Sequence, residues 1–110
     1  MALKRTLALG ALSLGLIAAA PPLPPYGEAL ACAAVTQAAS KLAPDDREAL
    51  DHAIYWSLAT MDAARAEGIS SAQAEADQKA RREAYVGKLR DRDPRINALL
   101  GICAMRVPAA

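Results

Sequence analysis

The sequence predicts an all-α fold, a small four-helix bundle closed by one disulfide between its first and last helices. Alanine is abundant, phenylalanine is absent and aromatic residues make up 4% of the chain. This composition favours helices, because alanine is the best helix former and fills little volume between packed sheets. Apolar residues recur at helical spacing in four segments, which proline, glycine and capping residues separate.

Residues 1–31 are predicted to be a secretory signal with a proline-rich end. Lys4 and Arg5 form a basic start, and an apolar run from Leu7 to Ala20 follows, with a length typical of a signal sequence. The run is shorter than the ~20 residues that a membrane-spanning helix needs, and the prolines that follow cannot continue a helix. The chain is therefore expected to be exported, to the periplasm or the extracellular space.

Two small-residue motifs fit a cleavage site. Ala29-Leu30-Ala31 leaves Cys32 at the new N-terminus and a helical domain of residues 32–110. Ala18-Ala19-Ala20 fits the same rule, but Pro21 follows it and is expected to obstruct the peptidase. Lipidation of Cys32 is the alternative to a disulfide. It is disfavoured because lipoproteins carry a large aliphatic residue where this chain has Ala29.

The first helix is predicted over residues 32–42 and the second over residues 46–67. Pro44 ends the first, and Asp45 with Glu48 forms a capping box for the second. The second helix is expected to bury one aliphatic face: Leu50, Ile54, Leu58 and Met61. Its opposite face is also apolar or small (His52, Trp56, Ala59 and Ala63), which predicts a central helix packed on two sides.

The third helix is predicted over residues 71–91 and the fourth over residues 94–106. Ser70 caps the third, after Gly68 has ended the second, and Asp93-Pro94 begins the fourth. The third helix is expected to pack through an alanine stripe (Ala72, Ala76, Ala80 and Ala84), with Tyr85 and Leu89 making a second contact. The fourth presents Ile96, Leu99, Leu100, Cys103 and Val107 on one face.

The two cysteines are predicted to bond to each other, because Cys32 and Cys103 lie on the apolar faces of the first and last helices. A domain of 79 residues, 32–110, has a small core. A bridge across a loop of about 70 residues would stabilise it by roughly 4 kcal/mol on the chain-entropy model.

The sequence contains no pattern typical of catalysis or of a cofactor site. His52 is the only histidine, so neither a metal site nor a hydrolytic triad is expected. No metal or other cofactor is expected, and the protein is predicted not to be an enzyme. Residues 32–110 carry eleven basic and eleven acidic side chains, which argues against nucleic acid as the partner.

Charge is nevertheless distributed unevenly along the chain. Residues 45–77 carry eight acids against two bases, and residues 79–95 carry seven bases against three acids. In one interpretation the second and third helices face each other and their charges partly cancel. In the other, the basic segment contacts an acidic partner or anionic lipid, with Arg81, Arg82, Lys88 and Arg90 as candidate residues.

Trp56 is the only tryptophan and lies one helical turn after His52. It is predicted to be a core anchor, with an anchor at a protein interface as the alternative. The layout of an exported helical domain with one disulfide is similar to that of the small periplasmic acid-stress chaperones, although it shares no motif with them. No family is therefore assigned. The first hypothesis is an exported, non-enzymatic module that binds another protein, as a chaperone, inhibitor or assembly factor. The alternatives are a membrane-surface protein acting through residues 79–95, or a small-ligand carrier using the His52/Trp56 face.

Overall fold

The computed structural model describes residues 23–109, which form four α-helices and contain no strand. The helices are α1 (Tyr26–Leu42), α2 (Arg47–Glu67), α3 (Ser71–Arg90) and α4 (Pro94–Met105). They pack against one another, and a disulfide links α1 to α4. The predicted fold class and the predicted disulfide are both confirmed. The basic start and the apolar run of the predicted leader lie outside the described residues.

The turns between helices follow the capping signals in the sequence. Gly68 ends α2 with φ 78°, a left-handed conformation that glycine adopts without strain. The Ser70 hydroxyl accepts a hydrogen bond from the backbone N–H of Gln73, and the Asp93 carboxylate accepts one from that of Ile96. The N-cap of α2 is Asp46 rather than the predicted Asp45, since Asp46 accepts from the backbone N–H of Ala49.

The central helix is α1, which contacts each of the other three helices. Nine of its 17 residues are buried, and most of these are small: Tyr26, Ala29, Leu30, Cys32, Ala33, Ala34, Val35, Thr36 and Ala38. Small side chains on several sides of one helix let three neighbours approach its backbone closely. The prediction that the second helix is central is therefore wrong.

The start of α1 also differs from the prediction. The helix begins at Tyr26, directly after Pro25, and runs through residues 31 and 32 without a break. Its first turns are well ordered in the core, because Ala29 is 0% and Leu30 is 5% exposed. The predicted boundary between a leader ending at residue 31 and a domain beginning at residue 32 thus falls inside α1.

The first turn of α1 is tied to the ends of two other helices by polar contacts. The backbone N–H of Tyr26 donates to Glu67 Oε2 at the end of α2, 2.8 Å away. Glu28 forms an ion pair with Arg106, which follows α4. Arg106 thus pairs with Glu28, and Cys103 bonds to Cys32. Because the residue number falls along α4 as it rises along α1, the two helices run antiparallel.

The buried face of α2 is only partly the one expected, since Met61 packs against the core but the other three aliphatic residues of that face do not. Leu50, Ile54 and Leu58 are exposed, whereas Trp56 is only 2% exposed. The other buried residues of α2 are small and lie beside it: Ala53, Thr60, Ala63 and Ala64. A helix with two apolar faces buries the one that fits its neighbour better. Here a large indole flanked by small residues matches the alanine-rich surface of α1.

The buried face of α3 also differs from the alanine stripe that was predicted. Ala72, Ala76, Ala80 and Ala84 are all exposed, and α3 instead buries Ala74, Gln78 and Val86. Tyr85 and Leu89 pack against the core, as expected. Hydrophobic stabilisation grows with the apolar area removed from water, so the face with larger side chains is buried in preference to a row of methyl groups. The predicted face of α4 is confirmed, with Cys103 fully buried and its other members half-buried.

The disulfide joins Cys32 to Cys103 with their Cα atoms 5.4 Å apart, across a separation of 71 residues. Reducing it should lower the free energy of unfolding by roughly 4 kcal/mol, and the melting temperature by roughly 15–30 °C, because the unfolded chain regains the freedom of a long loop. Circular dichroism melts with and without reductant measure this. A double variant, Cys32→Ala with Cys103→Ala, is the control and should not respond to reductant. An unchanged melting temperature of the original chain on reduction would contradict the prediction.

Tyr26 gives the fold a dependence on alkaline pH. Burial, together with the hydrogen bond from its hydroxyl to Asp77 Oδ2, raises the pKa of Tyr26 from 10.0 to about 12. The folded state thus holds the phenolic proton more tightly than the unfolded chain. Its contribution to stability is complete below pH 10 and is lost as the pH rises towards 12.

We therefore expect the free energy of unfolding to fall above pH 10, by up to roughly 3 kcal/mol from this group. Urea titrations at pH 8–11.5 should show a steeper fall for the original chain than for Tyr26→Phe, which has no ionisable group there. Parallel decreases in the two proteins would contradict the assignment to Tyr26.

Candidate functional site

The largest aliphatic side chains of α2 point to solvent in a single row. Leu50, Ile54 and Leu58 are spaced by four residues and are 44%, 49% and 62% exposed. At that spacing they lie along one side of the helix. We call these three residues the apolar stripe. Single exposed apolar residues are ordinary on a protein surface, but an aligned row forms a continuous patch that can bind a partner.

The apolar stripe forms one wall of an open groove of about 550 Å³ between α1 and α2. Gln37, Ser40 and Lys41 of α1 form the other wall, and Arg82 of α3 lies at one side. The remaining lining residues belong to α2: Leu50, Ala53, Ile54, Ser57 and Leu58. We call this the α1–α2 groove. Its two charged lining residues, Lys41 and Arg82, are both basic.

A hydrogen-bond network under the α1–α2 groove connects three helices. The Gln37 amide donates to Ser57 Oγ of α2 at 2.8 Å and to Gln78 Oε1 of α3 at 2.7 Å. The Arg82 guanidinium donates to Gln37 Oε1 at 2.9 Å. Gln37 thus uses both ends of its side chain within the protein. The network holds the groove in shape before any ligand arrives, which lowers the entropic cost of binding.

Leu58 also borders a second hollow, of about 530 Å³, on the other side of α2. Leu23, Tyr55, Arg106 and Pro108 are among its lining residues. The most exposed member of the apolar stripe therefore stands on a ridge between two hollows. A partner lying along the stripe could contact both of them.

Trp56 belongs to the core. Its indole N–H donates to the backbone carbonyl of Cys103 at 2.9 Å, and the Arg106 guanidinium lies over the ring, 5.1 Å from its centroid. The Tyr55 ring meets it edge to face at 5.3 Å. Trp56 therefore fastens α2 to the end of α4, next to the disulfide.

His52 does not share a cavity with Trp56. It is half-buried and lines a cavity of about 220 Å³, together with Thr36 of α1 and Leu100 of α4. That volume is below the ~300–1,000 Å³ of ordinary ligand pockets. Trp56 instead borders the hollow beside Leu58. The structure thus does not bring the two residues together as one ligand-binding face.

The four basic candidates on α3 occupy different surroundings. Arg81, Lys88 and Arg90 are exposed, whereas Arg82 is half-buried at the α1–α2 groove. Within residues 23–109 the ion pairs are Arg65–Asp62 and Arg106–Glu28, so none of the basic residues of the 79–95 segment is in one. The α2 and α3 helices contact each other, although each packs mainly on α1, and within residues 23–109 no ion pair joins the acidic residues of α2 to the basic residues of α3.

In the described part of the chain, no group of three or more His, Cys, Asp or Glu side chains is placed to hold a metal ion. None of the helices in residues 23–109 is long and apolar enough to cross a membrane. No buried side-chain nitrogen or oxygen in this range lacks a hydrogen-bond partner.

The chain matches no protein-family model, no curated protein and no solved structure. The surface of the bundle is therefore the guide to function. Sequence reasoning missed the α1–α2 groove because it assigned the apolar stripe to the core. The available signal was that α2 is apolar or small on two faces, so that a single large neighbour would cover only one of them.

Replacing Trp56 by Phe should lower the free energy of unfolding by about 1–3 kcal/mol, because the Cys103 carbonyl keeps only the longer bond from the Arg106 N–H and the smaller ring fills less of the core. Urea denaturation followed by circular dichroism measures the change. Tyr55→Phe is the matched control. It keeps its ring against Trp56 and removes only a hydroxyl from a residue that is 37% exposed, so stability should stay within about 0.5 kcal/mol. Equal losses in both variants would contradict the role assigned to the indole N–H.

Proposed function

We propose that this protein is an exported, non-enzymatic module that binds an amphipathic helix of another protein in the α1–α2 groove. The observation that carries the proposal is the apolar stripe, three large aliphatic side chains aligned and exposed on α2. Because these side chains stay largely exposed to water when the bundle folds, much of their apolar area remains available to a partner. Binding a partner provides a reason for their presence.

The spacing of the apolar stripe supports a helical partner. Leu50, Ile54 and Leu58 extend over two turns of α2, and the α1–α2 groove runs beside them. A helix laid in such a groove presents its own apolar residues at i, i+3, i+4 and i+7. The network around Gln37 keeps the floor of the groove fixed.

The charges at the groove support a partner with acidic residues. Lys41 is exposed at one wall and Arg82 lies at the side, and no carboxylate is among the lining residues. Carboxylates flanking the apolar face of a bound helix would meet these cations, which favours encounter and fixes orientation.

The leader in the sequence and the disulfide support export. A bond between Cys32 and Cys103 is compatible with an oxidising compartment such as the periplasm or the extracellular space. A sulfur bonded to Cys103 is also unavailable for lipidation, so the proposal does not include a lipid anchor at Cys32.

Two synthetic amphipathic peptides of about 18 residues, or five turns, provide the test. They share one leucine face and differ only in the polar face, which is glutamate-rich in one and lysine-rich in the other. Fluorescence anisotropy should show tighter binding of the acidic peptide at low salt. The difference should shrink between 0.01 M and 1 M salt, since the screening length falls from about 30 Å to about 3 Å.

Ile54→Ser combined with Leu58→Ser should weaken binding of the acidic peptide roughly 10- to 100-fold, because the contact loses apolar area. Ile102→Ser is the matched control, since Ile102 is 55% and Ile54 49% exposed but Ile102 does not line the groove. Lys41→Glu should weaken binding of the acidic peptide, whereas Lys79→Glu, on an exposed residue outside the groove, should not. All four proteins should melt within a few degrees of the original chain.

Equal loss of binding in Ile54→Ser/Leu58→Ser and in Ile102→Ser would contradict a site in the groove. Equal affinity for the two peptides would contradict the preference for acidic partners. Binding to anionic vesicles by a chain that binds neither peptide would favour contact of residues 79–95 with lipid and overturn the proposal.

A further inference from the structure

We infer that the exported chain is cleaved upstream of Tyr26, in the run Ala18-Ala19-Ala20, and that Tyr26–Ala31 remain in the mature protein. The inference rests on the export part of the proposed function and adds the position at which a signal peptidase acts. Cleavage after Ala31, the other small-residue motif in the sequence, would remove the first six residues of α1.

The first reason is the apolar surface that would be lost. Tyr26, Ala29 and Leu30 account for three of the nine buried residues of the central helix, and they are 9%, 0% and 5% exposed. Leu30 lines a hollow at the surface of α3 together with Ala80 and Ala84. Because α1 contacts every other helix, its first turns cannot be removed without opening the core that they share.

The second reason is the set of polar contacts made by the same turns. Tyr26 bonds to Glu67 through its backbone N–H and to Asp77 through its hydroxyl, each at 2.8 Å. Glu28 pairs with Arg106, whose guanidinium also lies over Trp56. The first turn of α1 thus contacts α2, α3 and Arg106, the residue that follows α4. A chain beginning at residue 32 would leave Glu67, Asp77 and Arg106 without these partners.

The third reason is the new charge that cleavage after Ala31 would create. The mature chain would begin with the ammonium group of Cys32, a residue that is 2% exposed and bonded to Cys103 in the core. A positive charge at the first residue of a helix is unfavourable, because it opposes the helix dipole. A chain cleaved upstream of Tyr26 keeps α1 whole and does not create this charge at Cys32.

The position of Ala18-Ala19-Ala20 agrees with the place where signal peptides are usually cleaved. A cleavage site follows the apolar region of a signal directly, and Ala18-Ala19-Ala20 is the end of that region here, whereas Ala31 lies eleven residues further on. Pro21 disfavours the bond after Ala20. The bond after Ala19 moves Pro21 one residue away from the cut, because Ala20 then becomes the first residue of the mature chain; Ile17 is then the third residue before the cut.

The test uses the full chain expressed with its leader in a Gram-negative bacterium, with intact mass spectrometry of the periplasmic and cytoplasmic fractions. The expected periplasmic species begins at a residue between 19 and 25 and carries one disulfide. A mature chain beginning at Cys32, a lipid adduct on Cys32, or an uncut chain in the periplasm would overturn the inference while leaving export intact. Uncut chain confined to the cytoplasm would overturn both the inference and the proposed export.

A matched pair of variants gives a second readout that does not depend on folding. Replacing Ala19 and Ala20 by Gln places large polar residues at the inferred site and should cause the uncut precursor to accumulate severalfold. Ala31→Gln makes the same change at the other motif and should leave the N-terminal mass of the cleaved product unchanged, apart from the substitution. Accumulation of precursor in Ala31→Gln, with normal cleavage of the Ala19/Ala20 variant, would overturn the inference.

Discussion

Three helices can reach α1 because this helix carries little side-chain volume. Ala29, Ala33 and Ala34 are fully buried on it, and Val35 is the largest of the fully buried aliphatic residues. Small residues permit close backbone approach, but each buries little apolar area. The bundle therefore depends on few large contacts, chiefly Trp56 of α2 and the disulfide to α4. Most of the remaining side chains are free to face solvent.

The helix ends could be predicted from the sequence because they depend on local chemistry. Gly68, Ser70 and Asp93 act within a few residues of themselves, and each occupies the expected place or lies next to it. The disulfide could also be predicted, since two cysteines on apolar faces leave one pairing. The start of α1 was missed because Ala29-Leu30-Ala31 fits a cleavage site as well as it fits the interior of a helix.

The buried faces of α2 and α3 could not be predicted, because each helix has two apolar surfaces. Packing against the neighbouring helices determines which of the two is buried. For α2 the decision depends on whether Trp56 or Leu58 fits α1 better, which is a question of shape in three dimensions. The candidate groove followed from the same choice. It exists because the face that the sequence placed in the core is the one that α1 leaves uncovered.

The 71-residue separation of the disulfide has a consequence for the order of events during folding. In a chain that emerges from a membrane or ribosome N-terminus first, α1 arrives before any of the helices that cover it, and Cys103 arrives almost last. The covalent bond can therefore close only after nearly the whole chain is available. Until then the domain lacks both the covalent link between its first and last helices and the acceptor of its Trp56 N–H.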